Sequence, residues 1–268
     1  MNKLKVLSKI ASSKIRALKS DFAALEVPQE VADAVAIIPK EVKFELSSLP
    51  QSLDWATLKE NPAPGSESLF TNPQGQRYPC WLPGDESLGD DWLLCDNYYP
   101  YYHRIYEAIG KQFEAPKLLE FGVRSGYSGV VFSKAVQGKK TYFGVDPNLY
   151  VVNGLGRARD TFKELQAERS DLDYFLIEGF SSSTAVQKTL GYSAPFEAIH
   201  IDGEHTYFGK IFDLWIAKNL ISKNGYILVD DFNHHGMIHD SIKVACYLGW
   251  FKSFTFVETK RGLAILKM

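Results

Sequence analysis

Cysteine is scarce in this chain. Only Cys80, Cys95 and Cys246 occur among 268 residues, too few and too scattered for a disulfide framework or a zinc knuckle. Reduced thiols in a cytoplasmic setting are therefore expected. An excess of one charge is also missing, since 30 Lys and Arg stand against 32 Asp and Glu for a net charge of −2. Such a balance gives no global attraction to nucleic acid or to an anionic membrane. No apolar run approaches the roughly 20 residues that span a bilayer, and no signal-peptide core is present. Internal repeats and low-complexity tracts are absent. The Gly-x-Gly-x-x-Gly spacing of dinucleotide binders is absent from the first strand-to-helix turn, which disfavours a nicotinamide enzyme.

What is present is enough apolar and aromatic material, 45% and 13% of residues, for one α/β domain with an extension. The chain is organised around Lys117–Ser128, KLLEFGVRSGYS. The apolar and acidic run Leu118-Leu119-Glu120-Phe121 gives way to a loop with Gly122 and Gly126, and helix-compatible residues resume at Val130. This is a buried strand breaking into a glycine turn that opens a helix, where backbone must approach a ligand and a side chain would obstruct it. Further on, strand and helix patterns alternate. Strands are expected at 141–146, 173–178, 196–202 and 225–231, and helices at 154–168, 181–190, 206–221 and 237–248. Two closing strands, 250–257 and 262–266, flank the short turn Glu258–Arg261 and must form a hairpin, so the last strand runs antiparallel. The expected fold is α/β, a Rossmann-like doubly wound sheet that is mostly parallel, preceded by an N-terminal extension.

That extension covers residues 1–75, with the main domain at 76–268. Lys3, Lys5, Lys9, Lys14, Arg16 and Lys19 precede any acid, and Leu4, Leu7, Ala11, Ile15, Leu18 and Phe22 recur at helical spacing. This basic amphipathic arm packs on its own domain or on a second subunit, giving a homo-oligomer, or else lies on a membrane surface. Residues 26–75, with six prolines, read as an irregular connector with short helices at most. Crowded tyrosines around Pro100 are candidates either for core packing or for a wall over a ligand site.

In an open parallel sheet, ligands sit beyond the carboxyl ends of the strands. Those ends here carry Glu120, Asp146, Glu178, Asp202, Asp230 and Asp231. So many carboxylates on one rim require cations or hydroxyls between them. Asp146 is placed to accept the two ribose hydroxyls of a nucleoside. If the strands ending at Asp202 and Asp230 are neighbours, those residues lie about 5 Å apart and can share one ion. An all-oxygen site of this kind suits Mg²⁺. The alternative is that Asp202 and Asp231 only cap helices and orient loops. A His-rich zinc site has no convergent geometry readable from the spacing of His200, His205, His234, His235 and His239. His200 falls inside a strand and reads as a satisfied core side chain. His205 stands at a strand-to-helix junction over the expected site, where a partly positive helix start favours the neutral imidazole and hence a proton acceptor.

The Glu-x-Gly-x-x-x-Gly-x-Ser spacing of Glu120, Gly122, Gly126 and Ser128 resembles the first motif of class I S-adenosylmethionine-dependent methyltransferases, and the likeness extends over about residues 90–268. The segments IHIDGEHTYFGKIFDLW at 199–215 and GYILVDDF at 225–232 are similar to the metal-dependent O-methyltransferases of the catechol and macrocin types. Asp96-Asn97-Tyr98 resembles an acidic, His/Tyr-rich segment of macrocin-type sugar methyltransferases, with Asn97 where that group often has Lys. The nearest resemblance is to the macrocin and rhamnosyl O-methyltransferases and cephalosporin-hydroxylase-like proteins. It implies S-adenosylmethionine as cofactor, held by Glu120, Gly122, Gly126, Ser128, Asp146 and Asp202, with adenine at Glu178, Gly179 and Phe180. Ser181 contributes there or serves as a helix cap. The resemblance further implies Mg²⁺ on Asp202, Asp230 and Asp231 and methyl transfer to a hydroxyl of a sugar or natural product; from its position over the site, His205 is expected to be the base, with Asp202 as its catalytic neighbour. A metal-independent methyltransferase, a nicotinamide oxidoreductase and a non-catalytic scaffold remain alternatives.

Overall fold

Lys117–Phe121 forms β1, the centre of a seven-stranded sheet. The computed structural model describes residues 27–81, 98–148, 155–259 and 261–268. The other strands are β2 (Lys140–Asp146), β3 (Leu172–Glu178), β4 (Phe196–Ile201), β5 (Ile221–Val229), β6 (Ser253–Val257) and β7 (Leu263–Lys267). Their order is β3-β2-β1-β4-β5-β7-β6. Every pairing from β3 to β5 is parallel, and β7 runs antiparallel to both β5 and β6. The sequence-based topology is thus the observed one. The order reverses at β1, where the chain runs outward to β2 and β3 and then returns to β4, so the ligand crevice belongs between β1 and β4.

Seven helices of eight residues or more lie among the described residues: α1 (Gln29–Ala36), α2 (Tyr98–Gly110), α3 (Tyr127–Ala135), α4 (Leu155–Glu168), α5 (Thr184–Ser193), α6 (Tyr207–Leu220) and α7 (Gly236–Tyr247). Central strands are buried on both faces, and alternate residues enter different cores. Leu118, Tyr142, Ala198 and Leu228 pack under α2, α3 and α4 on one face. Leu119, Phe121, Ile199, Ile201, Ile227 and Val229 pack under α1, α6 and α7 on the other. No helix among the described residues is long and apolar enough to cross a membrane.

Several boundaries depart from the sequence reading, among them the start of β6 at Ser253 rather than 250. Helix α5 begins at Thr184 rather than 181, because Ser181 turns its hydroxyl to Asp213 instead of capping a helix. Strand β5 begins at Ile221 and ends at Val229, since Asp231 takes a φ of +61°, which breaks the extended run. The connector before the main domain contributes to both cores through Val31, Ala34, Leu46, Trp55 and Phe70. It also covers the edge strand: Phe254 N–H donates to Pro50 O at 2.9 Å, and Thr255 Oγ1 accepts from Ser52 and Leu53 N–H at 2.9 and 3.0 Å. An unpaired sheet edge is thereby closed by the chain itself. The basic arm lies outside the described residues, as do Asp96 and Asn97.

Candidate active site

The turn after β1 is shaped by contact with β4. Gly122 has φ +88°, and a Cβ there would lie 2.3 Å from the carbonyl oxygen of Asp202. The glycine is required by neighbouring backbone, whatever ligand approaches it. Gly126, at φ +91°, opens α3 as its N-cap. Between them, Arg124 N–H donates to Asp146 Oδ2 at 2.9 Å, while Asn148 N–H donates to Oδ1 at 2.7 Å. Asp146, 5% exposed, is therefore held rigidly at the end of β2, with each oxygen retaining capacity for one more donor.

A cleft of about 720 Å³ runs from Asp146, Pro147 and Asn148 past Gly179, Phe180 and Ser181 to Asp202 and His205. Phe180 is 63% exposed although it lines this cleft, an apolar face suited to a flat base. The cleft's other wall contains Asp213, whose carboxyl burial raises to about 6 and which accepts the Ser181 hydroxyl. Glu178 does not line the cleft; it lies exposed at the sheet edge.

Beyond Asp202 lies a recess of about 70 Å³ lined by Tyr98, Tyr99, Tyr102, Tyr127, Glu120, Ser128, His200 and Asp230. Gly122, Arg124, Asp202 and Arg261 border both spaces. The tyrosines serve both roles expected of them, being core residues and also recess wall. Glu120 sits opposite His200 in register and accepts the hydroxyls of Ser128 and Tyr142. Burial pushes its carboxyl up to about 8. Ser128 is thus committed to Glu120 as well as lining the recess. His200 is buried, with Nδ1 2.9 Å from the Tyr106 hydroxyl, and burial lowers it to about 4. Its Nε2, however, has no hydrogen-bond partner, so the core reading is half met.

Asp202, Asp230 and Asp231 are adjacent along the rim, because Ile201 pairs with Val229. Their side chains do not converge. Asp230 accepts the Tyr98 hydroxyl at 2.6 Å and the Asp231 N–H at 2.8 Å; burial, with Asp202 and Asp231 beside it, pushes its carboxyl up. Asp231 turns instead to Arg261, whose Nη1 lies 2.9 and 3.0 Å from its two oxygens. Mg²⁺ shared by these three carboxylates does not fit this arrangement, since their oxygens are not gathered within 4.8 Å of one another. Among the described residues, the group whose ligand atoms all lie within 4.8 Å of one another is His205, Asp231 and His235.

His205 also differs from expectation. Its Nε2 lies 3.8 Å from Asp202 Oδ1 and 2.9 Å from Asp231 Oδ2. The Asp202 and Asp231 carboxylates beside it outweigh burial and raise the imidazole to about 9, so it is protonated at neutral pH rather than neutral. For Asp231, burial alone would raise the carboxyl, but His205 and Arg261 together bring it below the usual range. A partial helix charge is weaker than two carboxylates in contact. Arg261 and Asp213 carried no sequence signal and reach the site by tertiary contact alone, Arg124 comes with the glycine loop, and His235 stood only among the late histidines whose spacing showed no convergent geometry.

A family model described as a methyltransferase domain matches residues 119–232, the span from β1 to the Asp230-Asp231 rim. Over that span the chain is similar to a methyltransferase domain. An O-methyltransferase, ankF, of Aspergillus thermomutatus is 26% identical over 129 residues, 47% of this chain and 49% of that protein. The chain thus spans about half the length of this curated relative. Among solved structures, the apo form of CalS11, a TDP-rhamnose 3'-O-methyltransferase of calicheamicin biosynthesis, matches with a TM-score of 0.52 at 14% identity. A candidate O-methyltransferase of Klebsiella pneumoniae matches with a TM-score of 0.51 at 14% identity. Each alignment covers 83% of this chain and 98% of the other. These likenesses establish the fold, a Rossmann-like, mostly parallel sheet.

Proposed function

We propose that the domain uses S-adenosylmethionine to methylate a hydroxyl of a small molecule, a sugar or natural product. The observation that carries this reading is Asp202, which borders both the nucleoside-sized cleft and the tyrosine-lined recess. Asp146 would hold the ribose of the cofactor, Phe180 and Gly179 its adenine, and Gly122 and Asp202 would border its sulfonium end. Glu120, Gly126 and Ser128 act by shaping the loop and recess around the methionine end. Methyl transfer is a direct displacement: the acceptor oxygen bonds the methyl carbon, the carbon–sulfur bond breaks, and the acceptor proton goes to a base. Positioning and that proton transfer are the protein's main contributions.

Asp202 and His205 are polar groups of the cleft that stay partly exposed, at 34% and 38% of their side chains. With His205 protonated, Asp202 is the proton acceptor the geometry favours, and His205 is a donor that positions the acceptor hydroxyl. No step is routed through Mg²⁺. The small cavities also suit a small-molecule acceptor better than a macromolecule, and the basic arm is proposed to contact a second copy of the chain.

Calorimetry with S-adenosylhomocysteine and with NAD tests the cofactor. The homocysteine product is expected to bind and NAD to give no heat above dilution. NAD binding without any to the homocysteine product would overturn the reading.

A further inference from the structure

Five of the six histidines fall between His200 and His239, and the fold sorts them. His200 is buried against Tyr106, whereas His239 lies 3.7 Å from Asp240. His205 precedes α6 and His235 precedes α7; these helices pack against each other, and the two rings stand 5.0 Å apart between centroids. The ring nitrogens and an Asp231 oxygen all lie within 4.8 Å of one another. We infer that His205, Asp231 and His235 form a site for a first-row transition ion of the zinc class, in place of a three-carboxylate Mg²⁺ site.

The donor chemistry supports the choice of ion. Two imidazole nitrogens and one carboxylate suit Zn²⁺ or Co²⁺, whereas Mg²⁺ favours an octahedron of oxygens. Tetrahedral ligands at roughly 2.0–2.1 Å from zinc sit about 3.4 Å apart, so the widest pair here closes by at most about 1.4 Å through ordinary side-chain rotation. The carboxylate is already oriented, because Arg261 Nη1 donates to both Asp231 oxygens, at 2.9 and 3.0 Å, and each oxygen keeps a lone pair for an ion. Outer hydrogen bonds of this type fix a ligand's direction. Three protein ligands leave a fourth position open. His205 lines the large cleft, so the open position is supplied from the space where the acceptor is proposed to bind. Asp202 stays outside the ligand set and keeps its part in proton transfer, whereas His205 must lose its proton to bind the ion and then yields its donor role to the ion's open position.

The test uses the full chain without cofactor. Co²⁺ is titrated while its visible d–d absorption is followed, then Zn²⁺ or Mg²⁺ is added in competition. One Co²⁺ per chain is expected, displaced by Zn²⁺ and retained against a large excess of Mg²⁺. His205→Ala and His235→Ala should each weaken binding by about tenfold or more, with His234→Ala and His239→Ala close to wild type. Thermal melts verify that each variant is folded. Absence of a saturable band would overturn the inference, as would wild-type affinity in His235→Ala. So would displacement by Mg²⁺ together with loss of binding in Asp230→Ala, which would return the site to the carboxylates. None of these readouts depends on methyl transfer, so the metal and cofactor readings fail separately.

Discussion

Asp146 and Glu120 stand one strand apart and behave as opposites. Asp146 is fixed by two backbone N–H groups yet keeps acceptor capacity toward the cleft. Asp146→Asn, which preserves shape but removes charge and one acceptor, is expected to lower S-adenosylhomocysteine affinity about tenfold, or about 1.4 kcal/mol, in calorimetry. Unchanged affinity would remove Asp146 from the cofactor contacts. Gly122→Val is less clean as a test of ligand approach, because its Cβ collides with the Asp202 carbonyl; both the melting temperature and binding should fall. Burial holds the Glu120 carboxyl at about 8 in the fold, against an ordinary value of 4.5. A raised acid is protonated in the fold while the unfolded chain is already ionised, so its stabilising contribution is complete below 4.5 and lost as pH rises toward 8. The melting temperature should therefore decline between pH 5 and pH 8, each value taken as roughly bounding that window. Glu120→Gln should flatten the decline, and an identical slope in the variant would place its cause elsewhere.

Among the elements, the covered sheet edge is a sharp case of a non-local dependence. Thr255 on β6 is 4% exposed, and its hydroxyl accepts from Ser52 and Leu53 N–H while donating to Leu53 O at 3.0 Å. Thr255→Val keeps the shape and β propensity but leaves buried backbone groups without that partner. A loss of about 1–3 kcal/mol is expected in denaturant unfolding. A change within experimental scatter would mean that the connector's apolar anchors, Leu53 and Trp55 among them, hold it without the hydroxyl. At the opposite face, Glu30 on α1 accepts from Trp215 Nε1 at 2.8 Å and pairs with Lys218 at 2.9 Å on α6. This contact is largely exposed on the Glu30 side, so it directs docking more than it stabilises.

For the whole molecule, the basic arm of residues 1–25 is the segment whose role the sequence left open between packing and a membrane surface. If it joins subunits, deleting it should lower the mass measured by light scattering and leave S-adenosylhomocysteine affinity nearly intact. An unchanged mass would sink the assembly role, and co-sedimentation with anionic vesicles would then test the surface alternative.

Strand and helix order, the antiparallel last strand and the glycine turn were legible in the sequence because each rests on local rules: hydrophobic period, turn length, and carboxylates collected at strand ends. Asp146 and Asp202 were legible for the same reason, as strand register brings both to the cleft. Where side chains turn beyond those ends was decided by tertiary structure. Asp230 and Asp231 are neighbours in sequence, yet Tyr98 of α2 takes one, and Arg261 of the β6–β7 turn with His205 takes the other. His205's charge followed from that pairing, against the local helix start. His235 joined His205 only because α6 and α7 pack together. Contacts between residues far apart in the chain set the charge and ligand geometry, and no local pattern encodes them.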